Sequence, residues 1–227
     1  MQPYFFPYIG YFQLISSVDV FIIYNNVQFI KRGWINRNRI KLENKIINIT
    51  LPLARDSSVL NIDQRIISET WPLSRKKIIR RIEYSYRKTK FFKNVFEIIT
   101  EILNYEDQRL DKFLTHSITE INKYLGIKTK IIFSSELENN SVMHKGEKRI
   151  LGLVKKSRGN VYINPIGGID LYDKQTFTDN GIKLKFLSSN IAESNNENNV
   201  SNLSIIDILM NNPIEDIRQM LNDYKLL

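Results

Sequence analysis

The sequence predicts an α/β fold: a three-layer, sandwich-like core of mostly parallel sheet with a central helical insertion. Three observations carry this expectation. Strand-like and helix-like periodicities alternate at both ends of the chain, the pattern of a sheet covered by helices. The middle, roughly residues 68–126, shows helical spacing alone. The 227 residues contain no internal repeat and no linker long enough to divide them, so a single domain over 1–227 is expected.

Taken in order, Pro7 opens the first helix, with Tyr8, Ile9, Tyr11, Phe12, Leu14 and Ile15 at helical spacing behind it. The continuous apolar run Val20–Tyr24 reads as a buried strand ending at Asn25-Asn26. Trp34–Leu42 and Lys45–Leu51 alternate in polarity. They are expected to pair as a hairpin across Glu43-Asn44, with Pro52 closing the second strand. Three amphipathic helices follow over Ser68–Lys88, Phe91–Tyr105 and Leu110–Tyr124, forming a layer or lid, and Gly126 is placed as a helix C-cap. Lys130–Phe133 reads as a strand, Glu147–Lys156 as a helix and Asn160–Asn164 as a short strand broken by the loop signal Pro165-Ile166-Gly167-Gly168. Gly181–Leu187 is a further strand and the Asn-rich 190–202 a surface loop. Ser204–Leu209 and Ile214–Tyr224 are expected as closing helices.

Composition removes several functional classes. The absence of cysteine excludes disulfides, zinc-thiolate sites, iron–sulfur clusters and a thiol nucleophile. With only His116 and His144, no metal site is expected. No run of about 18 apolar residues suggests a membrane span. The opening residues lack the basic region of a secretory signal, so a cytoplasmic location is expected. The net charge of +9 points to phosphate-bearing partners, although most of it is attributed to the general abundance of Lys, Ile and Asn. No named nucleic-acid module appears, so nucleic acid is not the expected partner.

Four stretches carry candidate chemistry. Gln2, Tyr4, Tyr8 and Tyr11 stand in a Pro-stiffened strand-to-helix transition, where a helix N-terminus offers free N–H groups; the bland reading is an aromatic core wall. The spacing up to Gly10-Tyr11 has a weak analogy with the His-x-Gly-His element of nucleotidylyltransferases, with Tyr8 and Tyr11 where the histidines would be. In Lys31–Arg39, strand alternation would set Lys31, Arg37 and Arg39 on one face and Trp34, Asn36 and Asn38 on the other. Arginines clasp phosphate or carboxylate, asparagines read hydroxyls and a tryptophan stacks on a base or sugar; the competing reading is a solvated cationic edge strand. Asn164, Gly167 and Gly168 sit at a strand's carboxyl end, where α/β ligand sites fall, or form a structural turn. Asp170 and His144 are the candidate general acid–base groups. The basic run Arg75-Lys76-Lys77…Arg80-Arg81 reads as a solvated helix face and His116 as structural.

The run Gln2–Ile15, the run Val27–Asn38, the Asn160–Tyr172 stretch and Leu203–Leu209 resemble landmarks of the WbqC-like protein family, and the likeness covers nearly the whole chain. The resemblance implies a place in O-antigen and other surface-polysaccharide gene clusters and a glycine or aminoacyl transferase role on an amino sugar. It also implies a few residues of strand ahead of Gln2, where Met1 stands here. Two further departures are Asn25-Asn26 where the pattern often has an Asp, and Ser74-Arg75-Lys76 where it tends to carry a His.

Together these readings give an amide-forming enzyme acting on a nucleotide-linked amino sugar. Lys31, Arg37 and Arg39 would hold phosphates or a carboxylate, Trp34 and Tyr4 would stack, and Gln2, Gln28, Asn36 and Asn38 would read hydroxyls. The carboxyl group must be activated, by ATP or as an activated acyl donor. No Walker loop or Rossmann fingerprint supplies it, so the cofactor is unknown. The rival expectations are a non-catalytic nucleotide-sugar-binding or scaffold protein of the same pathway, and an RNA-binding protein.

Overall fold

The computed structural model of the chain describes residues 1–43, 45–138, 145–193 and 203–227. Mixed helix and strand are present, as the α/β class requires, with the strands divided among three small sheets. The first helix, α1 (Ile9–Ser16), is buried from Ile9 to Ile15. It is wrapped by core rather than amphipathic, as its nearly unbroken apolar sequence demands. Its one buried polar side chain, Gln13, donates through Nε2 to the carbonyls of Met220 (2.7 Å) and Asp223 (3.0 Å), tying the chain's end to its beginning.

Strand β1 (Val20–Ile23) follows. Met1 lies beside its end, the amine donating to Ile22 O at 2.8 Å and Met1 O accepting from the Tyr24 amide at 2.8 Å. β2 (Arg37–Leu42) and β3 (Lys45–Thr50) form the expected antiparallel hairpin. β2 begins three residues later than the alternation suggested. Residues 31–36 are turns and bends, with Arg32 at φ 65°, so the alternation there has no strand to act on.

Helices α2 (Trp71–Tyr86), α3 (Phe92–Leu103) and α4 (Leu110–Leu125) reproduce the predicted insertion, and Gly126 ends α4 at φ +78° in the left-handed region that favours glycine. They are no detachable lid. Ile78, Ile82, Ile99, Phe113 and Ile118 belong to the same core as Phe5, Phe12, Ile23 and Ile49. The α2 residue Tyr86 joins layers: its hydroxyl donates to Asp207 Oδ1 (2.9 Å) and accepts from the Lys41 amide (3.2 Å).

β4 (Lys130–Phe133) pairs with β1 in parallel, Val20 opposite Lys130 and Ile23 opposite Phe133. A short helix that periodicity did not reveal, α5 (Ser134–Glu138), starts at once from the strand's end, and α6 (Gly146–Lys156) follows. β5 (Val161–Pro165) runs into a 3-10 turn over Ile166–Leu171 in place of an open loop. α7 (Lys174–Asp179), also unforeseen, is capped by Asp173, which accepts from the Gln175 and Thr176 amides. β6 (Lys183–Ser189) pairs in parallel with β5 and antiparallel with the final strand. Asn190–Glu193 forms α8, and the rest of the predicted surface loop lies outside the described residues. α9 (Ile205–Asn211) and α10 (Ile214–Met220) close the main core; the second stops at Met220 rather than at Tyr224, and Tyr224–Leu226 forms β7. β5, β6, α6 and α7 enclose a second apolar cluster around Leu151, Phe177, Leu184 and Phe186.

The loop before α1 is held by side chains. Phe6 adopts φ 45°, a left-handed conformation unfavourable for a bulky residue. Asn38, 3% exposed, donates to the carbonyls of Phe5 (3.0 Å) and Phe6 (2.7 Å), while its own oxygen accepts from the Arg39 amide. The Ser204 hydroxyl donates to Phe6 O at 2.9 Å. Replacing Asn38 by Ala would strand the Phe5 carbonyl and the Arg39 amide and leave Phe6 O with Ser204 alone. The expected loss is about 3 kcal/mol of unfolding free energy, readable in a urea titration.

Candidate functional site

Residues at the carboxyl ends of β1 and β4 form a polar network inside an otherwise apolar body. Asn25, 2% exposed, donates to Asp111 Oδ2 (3.0 Å), and its oxygen accepts from the Ser134 hydroxyl and the Ser135 amide (3.3 Å each). Asp111 is fully buried at the head of α4 and also receives Arg109 Nη2 at 3.2 Å. Asp63 arrives on the turn after Asn61, its amide donating to Asn25 O at 3.1 Å. Its Oδ1 is shielded and has no partner among the described residues. Burial, then the neighbouring Asp111 carboxylate, pushes the Asp63 carboxyl above its usual range. Asp111 is fastened by Asn25 and Arg109, while Asp63 feels its charge and keeps one shielded oxygen without a partner among the described residues, an arrangement suited to proton transfer.

The second half of the network is an ion pair. Arg149, on α6, donates Nε and Nη2 to the two oxygens of Glu138 at 2.6 Å each, and both side chains are at most 10% exposed. Asn26 donates to Glu138 Oε2 at 2.5 Å and accepts from Arg149 Nη2 at 2.8 Å. Burial opposes ionisation of Glu138, but the hydrogen bonds from Arg149 and Asn26 win and hold it below the ordinary glutamate range. The guanidinium lies 4.4 Å over the Tyr24 ring. Tyr24 in turn faces an aromatic trio: Tyr162 stacks on Phe177 at 5.6 Å, and Tyr172 stands edge-on to both. Burial raises the Tyr24 and Tyr162 hydroxyls, and the nearby Tyr172 adds to both shifts. Tyr24 and Tyr162 are therefore neutral donor–acceptors at neutral pH. An open groove of about 350 Å³ runs along α4 and β4, lined among others by Thr115, Asn122, Lys128, Phe133 and Glu136 and by none of the network residues.

The sequence-predicted residues divide sharply. Gln2, Tyr4 and Tyr8 are half-buried on the loop that follows Met1, whose carbonyl accepts from the Tyr24 amide. The Tyr8 ring folds over Gly10, where a Cβ would lie 2.5 Å from it. Tyr11 is buried, donating to Gln2 O at 3.0 Å and packing 5.6 Å from Tyr4, so it supports the face rather than forming it. Asn164 is half-buried and occupied. It accepts from Tyr162, donates to Pro165 O at 3.0 Å, and lies where any side chain on buried Gly168 would go. Gly167 is exposed with open space beside it, and Asp170 is exposed on the 3-10 turn. His144 lies outside the described residues.

The face assignment for Lys31–Arg39 is corrected. Trp34 sits with the arginines, Arg39 5.0 Å and Arg37 6.0 Å from its ring, because the alternation holds only from Arg37 onward. Arg37 donates to the carbonyls of Gly33 and Arg32, and Asn36 to Leu51 O at 2.9 Å, while Asn38 points into the core. Gln28 donates to Ser58 O at 3.2 Å and Lys31 is exposed. His116 stacks on Tyr105 at 3.9 Å, matching its structural reading.

The sequence model of the WbqC-like protein family matches residues 2–219. The chain is 28% identical over 187 residues to "Uncharacterized protein Rv1507c" of Mycobacterium tuberculosis, an alignment covering 81% of this chain and 78% of that protein. No solved structure matches the chain.

The ion pair predicts acid sensitivity. Glu138 ionises below its unfolded value, so its contribution to stability is present above the ordinary glutamate range and is lost as the pH falls through the folded-state value. Glu138→Gln should cost about 3 kcal/mol at neutral pH, with the gap from wild type closing in acid, as measured by denaturant midpoints across pH.

Proposed function

Taking as premise that the chain belongs to the WbqC-like protein family, we propose that it is a cytoplasmic enzyme of surface-polysaccharide assembly that forms an amide on a nucleotide-linked amino sugar. The carrying observation is Asp63: a carboxyl with a raised pKa and a shielded oxygen, unpartnered among the described residues, tied by its amide to Asn25 at the carboxyl end of β1 and within reach of the Asp111 charge. An amino sugar is protonated in water and cannot attack until it loses that proton. Asp63 is the group to take it.

The amine nitrogen then attacks the carbonyl carbon of an activated acyl donor, an aminoacyl group already activated at the expense of ATP. The C–N bond forms, the activating group leaves with the electron pair, and the amine's second proton passes to solvent through Asp63. The N-terminal loop and Tyr24 carry groups suited to such a substrate. Tyr4, Tyr8 and Tyr24 offer aromatic faces for a sugar ring, and Gln2 a neutral amide for its hydroxyls. Trp34 with Arg37 and Arg39 offers a second stacking surface.

The test mixes the protein with nucleoside-diphosphate amino sugars and a pre-activated glycine donor, and follows the added acyl mass by mass spectrometry. Turnover is expected. Asp63→Asn should lower kcat roughly 10²–10⁴-fold with KM little changed. Wild-type rate should climb with pH until Asp63 is ionised, and the variant should lose that limb. If no nucleotide-linked sugar raises the melting temperature and none is acylated, the reading fails.

A further inference from the structure

Arg65 is anchored through its backbone, the amide donating to Ile62 O at 3.2 Å and the carbonyl accepting from the Leu110 amide at 3.0 Å. Its side chain turns inward and is 4% exposed. The guanidinium carbon lies 5.0 Å over the ring of buried Phe29. Nε and Nη2 are shielded from solvent and meet no acceptor among the described residues. A guanidinium cannot shed its proton to escape burial, so the charge must be met by an anion or by hydrogen-bond acceptors.

The identity of the two idle donors is informative. Nε–H and Nη2–H point along one edge of the guanidinium plane, forming the fork that clasps two oxygens side-on. The same chain shows that fork in use. Arg149, comparably buried, places the same two nitrogens on the two oxygens of Glu138. Arg109 has Asp111. Among these three arginines, Arg65 alone presents the fork with nothing in it.

We propose that Arg65, backed by Phe29, is a binding site for an oxyanion, the carboxylate or phosphate group of a small ligand. The aromatic ring beneath the guanidinium holds its plane and leaves its donor edge free. The segment carrying Arg65 runs from the Leu60–Asp63 stretch that hydrogen-bonds to residues 25–29, so the site adjoins the network at the end of β1. The inference stands on burial and fork geometry, and so holds whether or not acyl transfer is the reaction.

The experiment is a melting-temperature titration with inorganic phosphate and, separately, with acetate, at ionic strength held constant with chloride. Wild type, Arg65→Met and Arg65→Lys are compared. Wild type should show a saturable rise with one of the two anions. Phosphate would identify a phosphoryl group and acetate a carboxylate. Arg65→Met should lose affinity roughly tenfold to a hundredfold. Without anion it should melt no lower than wild type, because it removes an unmet buried charge, whereas an arginine that merely braces the fold would leave a destabilised variant. Should Arg65→Met fail to fold, Arg65→Lys takes its place: it keeps the charge but not the fork, and should lose the saturable response. Equal responses in wild type and variants, or no saturable response to either anion, would overturn the proposal.

Discussion

The clasp of Asn38 on the Phe5 and Phe6 carbonyls is the constraint on which the rest depends. It holds a non-glycine residue in a left-handed conformation, and Ser204 closes the same grip from the other end of the chain. That turn sends Phe5 and Phe6 into the core and leaves Gln2, Tyr4 and Tyr8 half-open on the loop. It also aims α1 into the core, where Gln13 fastens the last turn and tail. Loosening one amide therefore disturbs three things together: the loop conformation, the entry to the first helix and the join between β2 and α9.

Three arginines near the end of β1 illustrate three answers to one problem. Arg149 is buried and paired, and its Glu138 partner is itself held by Asn26. Arg109 is half in water and shares Asp111 with Asn25. Arg65 is buried against an aromatic ring with its fork idle. The first fixes geometry and the second tempers the Asp63–Asp111 repulsion. The third keeps capacity for something from outside.

The elements were largely legible in the sequence because their periodicities are local. α2, α3, α4, the hairpin and the parallel strands follow from apolar spacing and from Gly126 and Pro52. The short α5, α7 and β7 were missed because a few residues carry no period to read. The site was legible only in part. Dense aromatics with polar Gln2 marked the N-terminal loop, but the basic Lys31–Arg39 run was read through a strand that does not begin until Arg37. Asp63, Asp111, Glu138 and Arg149 carry no local signal because what gathers them is Asn25 and Asn26, far away in sequence. Arg65 is a cation in an isoleucine-rich stretch whose Ile62 and Ile67 are buried beside it in sequence.

The parallel pairing of β1 with β4 carries a temporal consequence. Val20 meets Lys130, 110 positions later. A ribosome adding about 5–20 residues per second makes β1 wait roughly 5–20 s for its neighbour. Through that interval Phe21 and Ile23 have no sheet partner from β4, and Asn25 lacks both Asp111 and Ser134 for most of it. The three helices between can pack on each other meanwhile, since their contacts are closer in sequence. The nascent chain thus passes through a stage with a helical bundle formed and a bare strand beside it, the kind of surface that chaperones bind, and the polar network is among the last parts to assemble.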